Sequence, residues 1–145
     1  TVLCHGWPPA SRQQLRAPVR WRPHAAAPSA VGAGGRPALT LLRLLGHAWR
    51  RGEAYALFVI RIATGRRHQI RVHTAHAGFP TVADFMYAAH AQFEADSLWC
   101  PRNFLHRHGL AFKDAAGAPR EALAPLPPEL SAALRRLRLR RPLSP

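Results

Sequence analysis

The sequence predicts an α+β fold, and three observations predict it. Residues 55–63, "YALFVIRIA", are a β-rich run with the two-residue period of a strand. At Thr64-Gly65 the period changes to that of a short helix, which stops where Gly78 and Pro80 break it. Near the end, "LPPELSAALRRLRL" puts Leu130, Leu134 and Leu137 on one helical face, with Pro128 at its start.

The remaining elements follow in chain order. Residues 1–4 form a short apolar strand closed by the turn-like "HGWPP". Residues 10–37 are dominated by Pro, Gly, Ala and Arg without a period. They read as a loop region with one edge strand in "APVRWR" and a flexible connector in "PSAVGAGGRP". "ALTLLRLL", residues 38–45, is apolar, and periodicity alone leaves strand and helix both open. Arg51-Gly52 ends a turn. In the run that follows, Ala56, Phe58, Ile60 and Ile62 share one face, and Tyr55, Leu57, Val59 and Arg61 share the other. A strand apolar on nearly both sides is expected to be central and covered. Thr64 is placed to cap the next helix and Gly65 to permit the sharp turn, giving a helix over 67–77. On it Arg67 and Arg71 share one face, and Ile70, His73 and Ala77 another. Residues 84–97 are loop or weak helix. "FLHRHGLAF" and "REALAP" are two strands joined through "KDAAGAP", and residues 138–145 form a basic, frayed tail.

At 145 residues and 16.0 kDa the chain is long enough for one domain with a real core. Lys+Arg minus Asp+Glu is 21 − 7 = +14, and Lys113 is the only lysine. Codon bias in a GC-rich genome explains Arg over Lys. It does not explain why acids are so few, with none before Glu53. The arginine fork suits phosphates and stacks on bases, so a polyanion is the expected partner: nucleic acid first, an anionic membrane surface second. No apolar run is long enough to span a membrane and no signal peptide is visible. Cys4 and Cys100 are far apart and match no metal or redox spacing, which reads as free thiols in an intracellular, reducing compartment. His68, His73 and His76 raise the question of a metal, but no carboxylate or thiolate spacing completes a site, so none is expected.

The stretch "TGRRHQIRVH", residues 64–73, carries three arginines and two histidines without one acid. The N-terminal turn of a helix prefers Asp or Glu, and like charges four apart repel by a few tenths of a kcal/mol, roughly. Such a turn is tolerable if it meets an anion, either a phosphate or a buried carboxylate from elsewhere in the fold.

"ALFVIRIATGRRHQIRVHTAHAGFPTVADFMY" resembles the motif stretch of the RluA/RsuA-type RNA pseudouridine synthase family. That pattern is a strand, T-G-R-x-H-Q-I-R-V-H, a helix ending in G-H-P, then G-D-x-x-Y. Thr64, Gly65, Arg66, His68, Gln69, Ile70, Arg71, Val72 and His73 match it, as do Gly78, Pro80, Asp84 and Tyr87. "FLHRHGLAF", "REALAPLPPELSAALRRL", "TVLCHG" and "GGRPALT" are similar to further segments of the family in the same order. The resemblance implies a mixed, mostly antiparallel sheet with packed helices and the isomerisation of uridine to pseudouridine in tRNA or rRNA. It implies no cofactor and no metal. It makes Arg71 the partner of a catalytic Asp, and Arg66, Arg67, His68, Gln69, Leu105 and His106 contacts to RNA or substrate. Thr64, Gly65, His73, Asp84 and Tyr87 become structural parts of the motif.

The departures matter as much. The family's H-R-L-D-x-x-T-S-G segment, which carries the catalytic Asp, is not in this sequence. That segment and the family's base-stacking Tyr are expected N-terminal to Thr1. Residues 1–137 then read as the C-terminal portion of a catalytic domain, inactive alone. The alternatives are a non-catalytic RNA-binding remnant of that fold or, more weakly, a basic structural protein of a ribonucleoprotein. Ala83 and Phe79 stand where the family has Gly and His, and Arg107 where it has a small residue. Trp7, Trp21, Trp49 and Trp99 are either base-stacking or packing residues. The basic C-terminal helix either lies on RNA or is a solvated face over its Leu stripe. A sheet missing its other half is expected to leave an open edge and poor solubility.

Overall fold

The computed structural model describes residues 1–25 and 28–140. The chain runs β1 (Val2–His5), β2 (Gln14–Arg16), β3 (Val19–Trp21), β4 (Ser29–Val31), β5 (Leu39–Arg50), β6 (Glu53–Ile62), α1 (Gln69–His76) and α2 (His90–Ser97). It continues through β7 (Gly109–Lys113), β8 (Pro119–Leu123), α3 (Pro128–Arg135) and β9 (Arg138–Leu139). The main sheet has the order β1-β6-β5-β2, with β9 also on β5; β3-β4 and β7-β8 are separate ribbons. Every pairing between these strands is antiparallel.

The spine is the β5–β6 hairpin. "ALTLLRLL" is strand, because it pairs along its length with the β-rich run beside it. Arg51 and Gly52 turn the corner with φ of 49° and 86°. Two left-handed residues in a two-residue loop match the twist of the flanking strands. β6 is internal, as its apolar faces require. On one face Tyr55, Leu3 and Ala48 pack with Trp99, Phe104, Leu130 and Ala133. On the other, Ala56, Phe58, Val2, Cys4 and Leu42 pack with Leu15 and Phe79. Phe79, where the family has His, is buried 6.0 Å from the Phe58 ring centroid. Both cysteines are free and buried.

β1, one edge strand of the main sheet, is covered on its outer side, while β2 forms the opposite edge. The outer side of β1 bridges Leu105 and Thr81. Leu3 N–H donates to the Phe104 carbonyl at 3.1 Å, Val82 N–H to Leu3 at 2.9 Å, and His5 N–H to Pro80 at 2.9 Å. His5 Nε2 also meets buried Asp96 Oδ2 at 2.8 Å, which ties β1 to α2. The exposed apolar side chains lie elsewhere, among them Leu110, Phe112 and Leu123 on the β7–β8 ribbon.

Several expectations are corrected. Residues 10–37 are not one edge strand in a loop. β2 adds to the main sheet, and the supposed connector contains β4, which pairs with β3. Gly35 makes that ribbon possible: a Cβ there would sit 2.7 Å from the Val19 carbonyl carbon. The helix begins at Gln69, so Arg67 precedes it rather than sharing its face with Arg71. Residues 84–97 do contain a helix, α2. "FLHRHGLAF" is strand only from Gly109. Arg138 and Leu139 of the supposed tail pair with Trp49 and Ala48, because the exposed edge of β5 offers unpaired backbone groups there. Residues 141–145 of that tail lie outside the described residues. Gly78 has φ of 86° and terminates α1 as its sequence position predicts.

Candidate functional site

The turn "TGRRHQ" is built around one amide. Gln69 is buried, and all four of its side-chain hydrogen-bonding positions are used. Its Oε1 accepts from the Thr64 hydroxyl at 2.8 Å and from Arg66 N–H at 3.0 Å. Its Nε2 donates to the Leu39 carbonyl and to Thr40 Oγ1, both at 3.0 Å. Thr64 Oγ1 in turn accepts Leu39 N–H at 3.0 Å. Thr64 therefore does not cap the helix. The residue at that position is His68, left-handed at φ 54°, with no side-chain cap. Gln69 Oε1 holds the Arg66 N–H that a Thr64 cap would have met, and the left-handed residue is His68 rather than Gly65.

His73 extends the network. Its Nε2 is 3.0 Å from the Ala17 carbonyl, which can only accept, so Nε2 carries the proton. Nδ1 then accepts from the Thr40 hydroxyl at 2.9 Å. Burial holds this imidazole below the ordinary histidine range, so it is neutral, as the acceptor role demands. One chain of hydrogen bonds thus joins Ala17, just after β2, to β5, α1 and the turn.

Arg71 finds its anion within the protein. Its Nε donates to Asp84 Oδ2 at 2.8 Å and Nη2 to Oδ1 at 2.5 Å, a bidentate pair. Asp84 is fully buried and accepts three further bonds, from Thr81 Oγ1 at 3.0 Å, Met86 N–H at 3.0 Å and Tyr87 N–H at 3.1 Å. Burial pushes its carboxyl up. The bonds and charge of Arg71 and the two backbone N–H groups outweigh that, and it titrates below the usual carboxylate range. Five bonds leave this ionised carboxylate no lone pair with which to attack a sugar. The Arg71 guanidinium lies 5.0 Å from the Tyr87 ring centroid and 5.5 Å from that of Phe85. Its Nη1 makes no hydrogen bond among the described residues.

The other two arginines of the turn face outward. Arg66 Nε donates to the Pro37 carbonyl at 3.2 Å. Arg67 stacks its guanidinium over Trp21, 3.9 Å from the ring centroid, while its carbonyl accepts from Ser29 Oγ at 2.7 Å. The Tyr87 hydroxyl accepts Ser29 N–H at 3.2 Å and lies 2.8 Å from His68 Nδ1. Burial, then the Arg71 and Arg67 charges, hold His68 below the ordinary histidine range. Between this turn and the β3–β4 ribbon is a cleft of about 480 Å³, lined by Arg20, Trp21, Ser29, Arg36, Arg66 and Arg67, with no carboxylate in its wall. Arg20 Nε is buried there with no partner among the described residues.

The structure brings Thr64, Gly65, Arg66, Arg67, His68, Gln69, Arg71, His73, Asp84 and Tyr87 into one region. It does not bring Leu105 and His106 there by any hydrogen bond among the described residues. Leu105 bridges Val2, and His106 N–H donates to the Thr1 carbonyl at 2.9 Å, along the outer side of β1. Arg20 and Arg36 are additions that sequence reasoning missed; the signal was the acid-free run before Glu53. Among the described residues no group of three or more His, Cys, Asp or Glu is placed to hold a metal, and no helix is long and apolar enough to cross a membrane.

Residues 2–76 match the RNA pseudouridylate synthase family. The chain belongs to this family. It is 38% identical over 137 residues to an uncharacterized RNA pseudouridine synthase of Chloroflexus aurantiacus, covering 94% of this chain and 40% of that protein. It is 34% identical over 131 residues to the ribosomal large subunit pseudouridine synthase D of Xanthomonas campestris, covering 84% of this chain and 38% of that one. The chain thus spans about 40% of the length of these relatives. The solved structure of human RNA pseudouridylate synthase domain containing 1 superposes with a TM-score of 0.78 at 25% identity. It covers 99% of this chain and 60% of the human one. Within the family framework, the matching motif "TGRRHQIRVH" divides into groups that hold the fold and groups left open to solvent.

Proposed function

We propose that this chain forms an RNA-facing wall of a pseudouridine synthase, an enzyme that isomerises uridine to pseudouridine in tRNA or rRNA. The observation that carries the reading is the acid-free arginine cleft set directly against the family motif. Phosphates of the RNA backbone occupy it, held by Arg66 and Arg67 with Arg20 and Arg36, and Trp21 offers a face to a base. His68 and Gln69 hold the turn in place; Leu105 and His106 contact substrate from the β1 side.

The reaction breaks the bond from N1 of uracil to the sugar and remakes it from C5. None of the seven acids of the chain stands free beside Arg71, and Asp84 is saturated. The catalytic carboxylate therefore comes from a segment other than these residues, and the open Nη1 of Arg71 is the group that receives it. An arginine there keeps the carboxylate ionised and nucleophilic. No metal or cofactor is required. Free, buried Cys4 and Cys100 support an intracellular, reducing compartment.

The test is RNA labelled with tritium at uracil C5, which loses its label to water when C5 joins the sugar. The 145-residue chain is expected to bind the RNA and release no tritium. A longer polypeptide that carries the H-R-L-D segment is expected to release it. Release by the chain alone would overturn the assignment of the carboxylate. One observation favours a second reading, a non-catalytic RNA-binding remnant: Arg71 already has a full bidentate partner in Asp84. Binding without release by the longer polypeptide would decide for it.

A further inference from the structure

The far end of the β5–β6 hairpin carries a second arginine cluster. Trp49, Arg50, Arg51, Arg136 and Arg138 line a cleft of about 580 Å³. Arg138 lies 5.4 Å from the Trp49 ring centroid. Beside it Arg140 lies 4.3 Å from that of Trp7, whose indole N–H donates to the Ala48 carbonyl at 2.9 Å. Both rings are more than a third exposed. Among the described residues no ion pair holds Arg51, Arg136, Arg138 or Arg140. The one acid of the hairpin, Glu53, stands opposite Arg50 in register. Arg136, Arg138 and Arg140 lie beyond residues 2–76, which match the family.

Geometry separates this cluster from the motif. Leu39, at the start of β5, binds Gln69; Trp49 is ten residues further along the same strand. At about 3.3 Å per residue the two ends of β5 are about 30 Å apart. Packing cations together without counter-charge costs free energy unless an anion with several charges meets them. Exposed indole rings with guanidinium groups over them suit a base stack beside a phosphate chain.

We propose that this end of the hairpin is a second RNA-binding surface, which holds a segment of the same RNA about 30 Å from the motif cleft. Arg51, Arg136 and Arg138 meet phosphates, and Trp49 receives a base. The proposal rests on the RNA-binding reading above. It adds that substrate RNAs are gripped at two separated points, so affinity grows once an RNA is long enough to reach both.

The experiment measures the salt dependence of RNA binding by the 145-residue chain, with and without Arg51→Gln, Arg136→Gln and Arg138→Gln together. Far-UV circular dichroism checks the fold. With a stem-loop of about 20 nucleotides, the triple variant is expected to bind about tenfold more weakly, and its salt slope to fall by about 2 to 3. With an oligonucleotide of about four nucleotides, too short to reach both surfaces, the variant is expected to lose one of two independent sites, a change of about twofold. Arg51→Asn alone removes one charge and places a favoured residue at a left-handed turn position, so it folds even if the triple variant does not. It is expected to lower the slope by about 1. An unchanged slope for either folded variant on the stem-loop, while Arg66→Gln with Arg67→Gln weakens binding, would overturn the second surface and leave the motif cleft standing. No RNA binding by the unmodified chain would overturn both. Loss of binding to phosphatidylserine vesicles in the triple variant, with its RNA slope unchanged, would assign the cluster to a membrane surface and overturn the proposal.

Discussion

Arg71 and Arg67 stand four residues apart in one motif and have opposite fates. Arg71 is drawn into α1, loses most of its exposure and is saturated on one side by Asp84. Arg67 stays in the turn, stacked on Trp21 at the mouth of an acid-free cleft. The difference teaches that a basic motif is not one feature. Part of its charge is spent inside the protein on a carboxylate, and part faces a cleft with no carboxylate in its wall. Which part is which follows from where the helix starts. His68 takes the left-handed turn, so the first helical residue is Gln69. Arg71 then falls two residues into the helix, against the Thr81–Tyr87 loop.

The comparison breaks most visibly at Asp84. Asp84→Ala leaves Arg71 without its partner and deletes five hydrogen bonds. Denaturant unfolding is expected to show a loss of about 3–5 kcal/mol. Arg67→Ala at the open position is expected to change stability by no more than about 0.5 kcal/mol. Equal losses for the two would show that the distinction between them is false.

Next in size is Gln69→Leu. It keeps the volume roughly and removes four hydrogen bonds from a buried network, leaving Arg66 N–H and the Leu39 carbonyl to find water. The expected loss is about 2–3 kcal/mol, with hydrogen exchange at Leu39 and Arg66 accelerated before the rest of the sheet opens.

Acidity sharpens the comparison with a smaller effect. Burial lowers the His73 pKa in the fold. The unfolded chain therefore takes up a proton first as pH falls. The contribution of His73 is full above the ordinary histidine range and is lost as pH drops through that range toward the folded value. Its slope has an upper bound of about 1.4 kcal/mol per pH unit. His68 acts in the same direction. Asp84 adds a separate loss at lower pH. Its folded pKa is depressed, so its contribution is present above the ordinary carboxylate range and disappears as pH falls through the folded value. Urea midpoints across this range are expected to decline in two stages, and Asp84→Asn to diminish the lower one, to which Asp114 and Glu129 also contribute.

The smallest effect is expected at Ala83, which is left-handed at φ 55° where the family has glycine. Ala83→Gly relieves about 1–2 kcal/mol of backbone strain. It also deletes a buried methyl worth about 0.8 kcal/mol and loosens the unfolded chain by about 0.4–1 kcal/mol. The sum is near zero. A change in thermal midpoint of more than a few degrees in either direction would mean that one of these contributions is misjudged.

What the sequence disclosed follows the range of the forces involved. β6 and α1 carry their periods in consecutive residues, and Gly78 marks the helix end locally, so they were readable. β3 falls in the edge strand expected from "APVRWR", whereas β2 and β4 are three residues each and hidden in Pro, Gly and Arg. They exist because β5 and Gly35 offer partners distant in sequence. The Thr64 cap was a fair local inference, overridden because Gln69 reaches Leu39 and Thr40 on another strand. The Arg71–Asp84 pair spans 13 residues, and nothing in the spacing announces it. Arg20 stands on the expected edge strand, but its meeting with Arg36 in one cleft depends on the β3–β4 ribbon, whose second strand has no local signal. The family motif points to the candidate site; its far wall required the fold.

On the proposed function, the outward-facing arginines bind RNA while the inward-facing one holds the fold. The most direct measurement is the salt dependence of RNA binding by the chain with Arg66→Gln and Arg67→Gln, alongside its unfolding curve. The account predicts an unchanged unfolding midpoint and a slope of log affinity against log salt shallower by about 2. An unchanged slope, or a chain that unfolds more readily with its RNA affinity intact, would contradict it.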